Sequence, residues 1–219
     1  MYKHFWLNGE AVELPVGKVV CVGRNYAEHA KELNNPIPVE PLLFMKPASS
    51  IVPLEQEIIL KAGFGRVDYE TEIAVLIGSK LRDVSEGEAK AGIAGVGVAL
   101  DLTLRDLQSK LKEKGHPWEK AKGFDGSCPL SGFVPAERIE DWENIPVQLH
   151  IDGKLRQDGN SSQMLNGILP LICYISTYFT LEPGDVVITG TPAGVGSLES
   201  GMQLKAAIPD VLECTTSVE

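Results

Sequence analysis

Residues 68–78 read Asp-Tyr-Glu-Thr-Glu-Ile-Ala-Val-Leu-Ile-Gly, which places two carboxylates directly ahead of an apolar run. The apolar run predicts a buried strand. Because side chains alternate along a strand, Glu70 and Glu72 point to the same face. Two carboxylates about 4 Å apart repel by about 4 kcal/mol at an effective dielectric constant of about 20. The pair therefore requires a divalent cation, a basic cluster or solvent; in the last case the strand has not yet entered the core.

Length and composition indicate a single globular domain spanning residues 1–219. The chain is 43% hydrophobic and 23% charged, which is ordinary for a soluble protein. Its net charge of −10 argues against a nucleic-acid partner. No apolar run reaches the roughly 18 residues that a membrane span needs, and the N-terminus lacks a signal-peptide pattern. The four widely spaced cysteines are expected to be reduced thiols, so we expect a cytoplasmic protein.

Hairpins dominate the rest of the pattern. Turn signals predict hairpins at 4–12, 146–158 and 202–218. Helical composition marks residues 26–33 (ended by 34–36), 85–94, 103–114 and 161–181, the last kinked or interrupted at Pro170. Strands outnumber helices and do not alternate with them, so a doubly wound sheet or a TIM barrel is disfavoured. The pattern predicts an α+β fold that is mainly β.

Two polar residues on the first predicted helix form a candidate proton-transfer pair. His29 and Glu32 lie three residues apart and share a face. They form either an exposed surface pair or an acid–base dyad, in which Glu32 orients His29 and His29 handles a water proton.

Further candidates lie at the end of a predicted strand and in a long loop. If the helical phase of 103–114 extends back to Asp101, then Asp101, Arg105 and Gln108 lie on one stripe. Such a stripe is either a surface salt bridge or part of a site, since an acid at the end of a buried strand is a common place for a metal ligand. Lys122 lies in the predicted loop 118–129, where it is either solvated or functional.

Six motifs, in the same order, resemble the fumarylacetoacetate hydrolase family over nearly the whole chain. They are Gly-Arg-Asn-Tyr-Ala-Glu-His (23–29), Phe-Met-Lys-Pro (44–47), Asp-Tyr-Glu-Thr-Glu (68–72), Asp-Leu-Thr-Leu-Arg-Asp-Leu-Gln (101–108), Lys-Gly-Phe-Asp (122–125), and Gly-Asp (184–185) continuing to Gly-Thr-Pro-Ala-Gly-Val-Gly (190–196). Each motif alone is weak, but six in order are specific. The chain resembles a short, single-domain bacterial member of the isomerase/decarboxylase and acylpyruvase branch.

The resemblance implies a mixed, mainly β roll with peripheral helices, a homodimer, and a site that binds a small 2-oxo acid. The implied residues are the Mg²⁺ or Mn²⁺ ligands Glu70, Glu72 and Asp101, the catalytic residues His29, Glu32 and Lys122, and the substrate-binding residues Arg105, Gln108 and Thr191. Carboxylates suit these hard cations. Three carboxylates around a divalent cation leave the site negative, so Arg105 and Lys122 are expected to supply positive charge to the substrate. The helix bearing His29 is expected to close as a lid.

The implied activity is metal-dependent chemistry on 2-oxo and 2,4-dioxo acids through a metal-stabilised enolate. Hydrolysis of an acylpyruvate C–C bond ranks first. Oxaloacetate decarboxylation or keto–enol tautomerisation comes next, followed by isomerisation of a 2-hydroxy-2,4-diene dioate. A non-enzymatic alternative is a metal-dependent oxo-acid binding protein, which is disfavoured because the candidate proton-transfer pair, Lys122 and three carboxylates occur together.

Overall fold

Strands form most of the regular structure, as the sequence pattern predicts. The computed structural model describes residues 2–33 and 35–219, and Asn34, predicted to help end the first helix, lies outside them. The strands are β1 (Val19–Gly23), β2 (Leu42–Lys46), β3 (Ile51–Pro53), β4 (Val67–Tyr69), β5 (Thr71–Ile77), β6 (Ile93–Leu100), β7 (Thr103–Leu104), β8 (Cys128–Leu130), β9 (Val134–Pro135), β10 (Pro146–Ile151), β11 (Lys154–Asn160), β12 (Val186–Ile188), β13 (Gly196–Ser197), β14 (Gln203–Ile208) and β15 (Leu212–Ser217). The α-helices are α1 (Ala27–Glu32), α2 (Glu86–Ala91), α3 (Arg105–Glu113), α4 (Glu119–Lys122) and α5 (Ile168–Tyr178). Short 3₁₀ turns cover Ala48–Ser50, Ala136–Arg138 and Ser161–Gln163.

A mixed central sheet carries the apolar run that follows the two glutamates. Its strand order is β2-β1-β12-β5-β6-β8-β3, with β9 pairing to β6. The β1–β12 and β3–β8 pairs are parallel, and the other pairs are antiparallel. Every residue of β5 is buried. The predicted buried strand is therefore confirmed.

A second sheet, in the order β11-β10-β14-β15, packs on the central one. Val75 of β5, Val98 of β6 and Leu149 of β10 belong to one apolar cluster, so the main core lies between the two sheets. The β10–β11 turn has positive φ at Asp152 and Gly153, as a tight two-residue hairpin requires. A small third sheet, β13-β4-β7, lies beside the start of β5. The α+β, mainly β fold class is confirmed.

The helices correct three predictions. Thr103 and Leu104 form strand β7, so α3 starts at Arg105 and Asp101 is not on the helix. The 118–129 segment contains the short helix α4, which ends at Lys122. Pro170 does not kink or interrupt α5, because it lies in the first turn of this helix. A backbone N–H there, which proline lacks, would have no intrahelical partner. None of the described helices is both long and apolar enough to cross a membrane.

Candidate active site and metal centre

Three carboxylates meet where β4, β5 and β6 come together. Glu70 lies between β4 and β5, Glu72 lies near the start of β5, and Asp101 directly follows β6. The antiparallel β5–β6 register places Thr71 opposite Leu100, and the Asp101 amide donates to the Glu70 carbonyl at 2.8 Å. One carboxylate oxygen from each acid lies within 4.8 Å of the others, and all three residues are buried. The predicted clustering of Glu70, Glu72 and Asp101 is therefore present.

Glu70 has strong cationic partners. Its two oxygens accept hydrogen bonds from Arg105 Nη2 at 2.5 Å and from Lys122 Nζ at 2.8 Å. Burial alone would raise the pKa of Glu70, but the positive charges of Lys122 and Arg105 hold it below its ordinary value. Glu70 is consequently an anion throughout the neutral pH range.

Glu72 is held by a main-chain amide. Its Oε2 accepts a hydrogen bond from the Gly190 amide at 2.6 Å. Within residues 2–33 and 35–219 it forms no salt bridge. Burial and the nearby charges of Asp101 and Glu70 raise the pKa of Glu72 well above its ordinary value. Three oxygen donors, one of them on a carboxyl group that forms no salt bridge with the residues the structure describes, fit a Mg²⁺ or Mn²⁺ ion.

The two cations expected to face the substrate are each held by two carboxylates. Lys122 Nζ donates to Glu70 and, at 2.6 Å, to Asp101 Oδ2. Arg105 contacts Glu70 and donates from Nε to Asp68 Oδ2 at 2.8 Å. Arg105 also donates to Gln108 Oε1 at 2.8 Å, so the predicted pair on α3 is in contact. Both cations mainly neutralise the acidic cluster, which leaves less positive charge for a substrate than the sequence suggested.

A fully buried lysine that sequence reasoning missed supports this arrangement. Lys46, the last residue of β2, has no exposed surface. Its Nζ lies 2.8 Å from Asp101 Oδ1 and donates to the Ser127 carbonyl at 3.0 Å and to the Lys122 carbonyl. Lys46 therefore links Asp101 to the end of the helix that carries Lys122. The available signal was the lysine ending the apolar strand 42–45.

The two members of the predicted proton-transfer pair are in contact. His29 Nδ1 lies 3.3 Å from Glu32 Oε2, and His29 is buried against the cavity. Glu32 also accepts hydrogen bonds from the Gly194 amide at 3.1 and 3.2 Å. With Nδ1 held by Glu32, His29 Nε2 is the ring nitrogen available for exchange with a ligand.

Thr191 is buried and lines the same cavity, but its hydroxyl is already engaged. It donates to the Thr71 carbonyl at 2.9 Å and accepts from Gln157 Nε2 at 2.7 Å. The Thr191 hydroxyl, which was predicted to hydrogen-bond the substrate, thus already donates its proton to the protein backbone. Gln157, which no sequence motif singled out, holds this turn in place.

The cavity encloses about 450 Å³ of empty space, part of it open to solvent. The predicted residues that line it are His29, Glu70, Glu72, Asp101, Arg105, Gln108, Lys122 and Thr191. Two basic residues that were not predicted, Arg24 and Lys112, also line it. Lys112 follows Arg105 by seven residues, so continuing the α3 stripe forward would have found it. Arg24 has left-handed backbone geometry with φ of 59°, for which the sequence holds no signal.

The sequence model of the protein family "Fumarylacetoacetate (FAA) hydrolase C-terminal" matches residues 18–219 of this chain. The chain belongs to the fumarylacetoacetate hydrolase family. Its fold is the one expected for that family, whose named members are enzymes, and the chain is an enzyme of this family.

Three relatives within the family carry different activity names. The chain is 52% identical to oxaloacetate tautomerase YcgM of Escherichia coli over 205 residues, covering 93% of this chain and 94% of that protein. It is 42% identical to the mitochondrial oxaloacetate decarboxylase of Dictyostelium discoideum over 213 residues, covering 93% and 91%. A crystal structure of fumarylpyruvate hydrolase from Pseudomonas aeruginosa with Mn²⁺ and pyruvate is 36% identical, with a TM-score of 0.92 and coverage of 99% and 95%. These relatives favour oxaloacetate chemistry over acylpyruvate hydrolysis, the reaction ranked first from the sequence.

Proposed function

We propose that this chain is a Mg²⁺- or Mn²⁺-dependent oxaloacetate keto–enol tautomerase. The observation that carries the proposal is the 52% identity to a named oxaloacetate tautomerase over nearly its whole length. The cavity is consistent with that reaction, because it combines an acidic cluster, a buried histidine and several cations.

We propose Glu70, Glu72 and Asp101 as the metal ligands. The Mn²⁺ ion in the structure of the P. aeruginosa relative supports a metal in this family, and the clustering of three buried carboxylates supports its place in this chain. When bound, the cation supplies Lewis-acid polarisation of the carboxylate and C2 oxygens of a 2-oxo acid.

His29 is proposed to move the proton. Tautomerisation takes a proton from C3 of the keto form and places one on the C2 oxygen, and the reverse holds for the enol. His29 Nε2 is the exchanging atom, because Glu32 holds Nδ1 and so favours the tautomer whose Nε2 can accept and return a proton. Gly194 in turn fixes Glu32.

Lys122 is proposed to stabilise the negative charge that develops on the C2 oxygen. Burial would lower the pKa of Lys122, but the carboxylates of Asp101 and Glu70 raise it above its ordinary value. The ammonium group therefore stays charged at neutral pH and does not serve as the base. The ammonium group also lies 5.2 Å from the centre of the Phe44 ring, and the ring limits the access of water to it. Arg105, Gln108 and Thr191 are proposed to shape the 2-oxo acid end of the cavity.

The test follows ketonisation of enol-oxaloacetate by its ultraviolet absorbance, with Mg²⁺ and then with excess chelator. Pyruvate release is recorded in parallel with a coupled dehydrogenase, so that decarboxylation is separated from tautomerisation. We expect rapid, chelator-sensitive loss of the enol without matching pyruvate. Pyruvate formed at the rate of enol loss would show a decarboxylase, and no acceleration over buffer would overturn the proposal.

Acylpyruvate hydrolysis is the second candidate, supported by the similarity to the P. aeruginosa fumarylpyruvate hydrolase. In that reaction His29 with Glu32 would activate a water for attack at C4. Pyruvate release from acetylpyruvate measures it directly. A turnover number above that for oxaloacetate ketonisation would reverse the order of the two candidates.

We further propose that residues 1–219 form one catalytic domain that works as a homodimer in the cytoplasm. The family match over 18–219 supports the domain, and the four free thiols fit a reducing compartment. Light scattering on the purified protein tests the dimer, which a monomer mass would exclude.

A further inference from the structure

Among the residues that the structure describes, two basic residues line the cavity without a carboxylate partner. Arg24 follows β1, and Lys112 lies in the last turn of α3; both are half-buried. In the described part of the chain, neither forms a salt bridge, whereas Arg105 and Lys122 each contact two carboxylates. Lys112 Nζ donates to the neutral Asn35 Oδ1 at 2.8 Å. Arg24 and Lys112 are thus the cations of this cavity that remain available to an anion.

The two charges also oppose each other. Burial and the positive charges of Arg24 and Arg105 lower the pKa of Lys112. The backbone at Arg24 adds a further cost, because φ of 59° in a residue with a Cβ is unfavourable by about 1–2 kcal/mol. Strained backbone is concentrated at ligand sites, and Arg24 combines it with a place in the same cavity as Lys112. An anion between Arg24 and Lys112 would relieve their repulsion.

We propose that Arg24 and Lys112 bind the distal carboxylate of a dicarboxylic 2-oxo acid. The inference rests on the proposed function and assigns two residues to the carboxylate of oxaloacetate that lies away from the 2-oxo group. The acidic cluster, together with Arg105, Lys122 and the proposed metal ion, is assigned to the 2-oxo acid end. The second carboxylate of the substrate therefore requires separate positive charge. A monocarboxylic 2-oxo acid leaves both half-buried cations unpaired and is selected against for that reason.

The experiment compares ligands that share the 2-oxo acid end and differ at the other end. KM is measured for oxaloacetate, and inhibition constants are measured for pyruvate and for the 4-methyl ester of oxaloacetate, all with Mg²⁺. The variants are Arg24→Gln and Lys112→Gln, with Lys110→Gln as the control, because Lys110 lies on the same helix but is exposed and does not line the cavity. Arg24→Lys retains the charge and checks that any loss does not come from misfolding.

We expect Arg24→Gln to raise the KM for oxaloacetate about tenfold or more, as loss of a charge-assisted hydrogen bond implies. The inhibition constants for pyruvate and the methyl ester should stay within about twofold, and Lys112→Gln should show the same pattern. Lys110→Gln should resemble the wild type. Equal weakening of all three ligands, or no change in any, would overturn the distal-carboxylate assignment.

Calorimetric titration of oxaloacetate and pyruvate into the same proteins separates this inference from the proposed activity. A wild type that binds oxaloacetate without tautomerising it, and loses affinity for oxaloacetate alone in Arg24→Gln, would keep the subsite while excluding the tautomerase. A wild type that tautomerises oxaloacetate, with an Arg24→Gln variant that binds oxaloacetate and pyruvate equally less well, would keep the tautomerase and exclude the subsite.

Discussion

Glu32 Oε1 accepts a hydrogen bond from the Gly194 amide at 3.1 Å, which ties helix α1 to the turn that follows β12. Gly194 has φ of +99°, and a Cβ at this position would overlap the Arg156 carbonyl oxygen. Helix α1, which carries His29, is therefore anchored to a backbone position that accommodates only glycine.

Gly194→Ala should destabilise the protein and slow turnover together. The added methyl group displaces the turn from Arg156, and the Glu32 anchor moves with it. Gly153→Ala is the matched control, because Gly153 also has positive φ but a methyl group there would meet nothing within 4 Å. We expect Gly194→Ala to lose about 1–3 kcal/mol more stability than Gly153→Ala in urea unfolding. Equal losses would show that the contact with Arg156 is unimportant.

His29→Asn should reduce oxaloacetate tautomerisation by about 100-fold or more, the usual contribution of a general acid–base group. Glu32→Gln should have a smaller effect of the same kind, since it weakens the orientation of the imidazole. Mg²⁺ affinity, measured by calorimetry, should stay unchanged in both variants. Lys31→Gln, on the exposed side of the same helix, serves as the control. Wild-type turnover in His29→Asn would rule out the proton-transfer role.

Neutralising the two glutamates should have opposite effects on the metal-free protein. Glu70→Gln leaves the buried Lys122 and Arg105 short of a counter-charge and should cost about 3 kcal/mol of stability. Glu72→Gln removes a carboxylate that is repelled by Asp101 and Glu70, so it should raise the melting temperature in chelator. Both changes are measured by thermal unfolding with and without Mg²⁺.

The same melts test the ligand assignment. Wild type should gain stability when Mg²⁺ is added, and both variants should lose most of that gain. A Mg²⁺-induced shift of wild-type size in Glu72→Gln would remove Glu72 from the proposed ligand set. A destabilised Glu72→Gln in chelator would show that the charge of Glu72 is compensated in the metal-free protein.

Lys46→Met should destabilise the protein by about 3 kcal/mol or more, because it leaves buried carbonyls and one side of Asp101 without a cation. Lys205→Met removes a lysine from an exposed pair with Glu213 and should change the unfolding free energy by less than about 1 kcal/mol. Comparable losses in the two variants, measured in urea, would show that Lys46 is not structurally important.

Local sequence patterns predicted the side-chain pairs that depend on a single helix or strand. Side-chain alternation along residues 68–78 placed Glu70 and Glu72 together, and helical spacing placed His29 beside Glu32. Asp101 was assigned to this cluster by its place at the end of a predicted strand and by the family resemblance, whereas the helical stripe that grouped it with Arg105 and Gln108 was wrong. Its position comes instead from the β5–β6 register, which brings the residue after β6 beside Glu70.

The remaining site residues depend on contacts between distant segments, which no single periodicity encodes. A lysine at the end of a strand is normally solvated, and the burial of Lys46 follows only from the packing of β2 against α4 and the 127–128 segment. The left-handed backbone of Arg24 is likewise invisible in composition. The sequence correctly placed Arg105 and Lys122 in the cavity. It did not show that each pairs with two carboxylates, because those partners come from other segments of the chain.

The turn from Gly190 to Gly194 holds both halves of the proposed machinery through main-chain amides. Gly190 donates to Glu72 of the acidic cluster, and Gly194 donates to Glu32 of the proton-transfer pair. Neither hydrogen bond depends on the side chains of Arg24 or Lys112. We therefore expect mutation at those two positions to alter which molecules are accepted without disturbing the main-chain hydrogen bonds that hold the reacting groups.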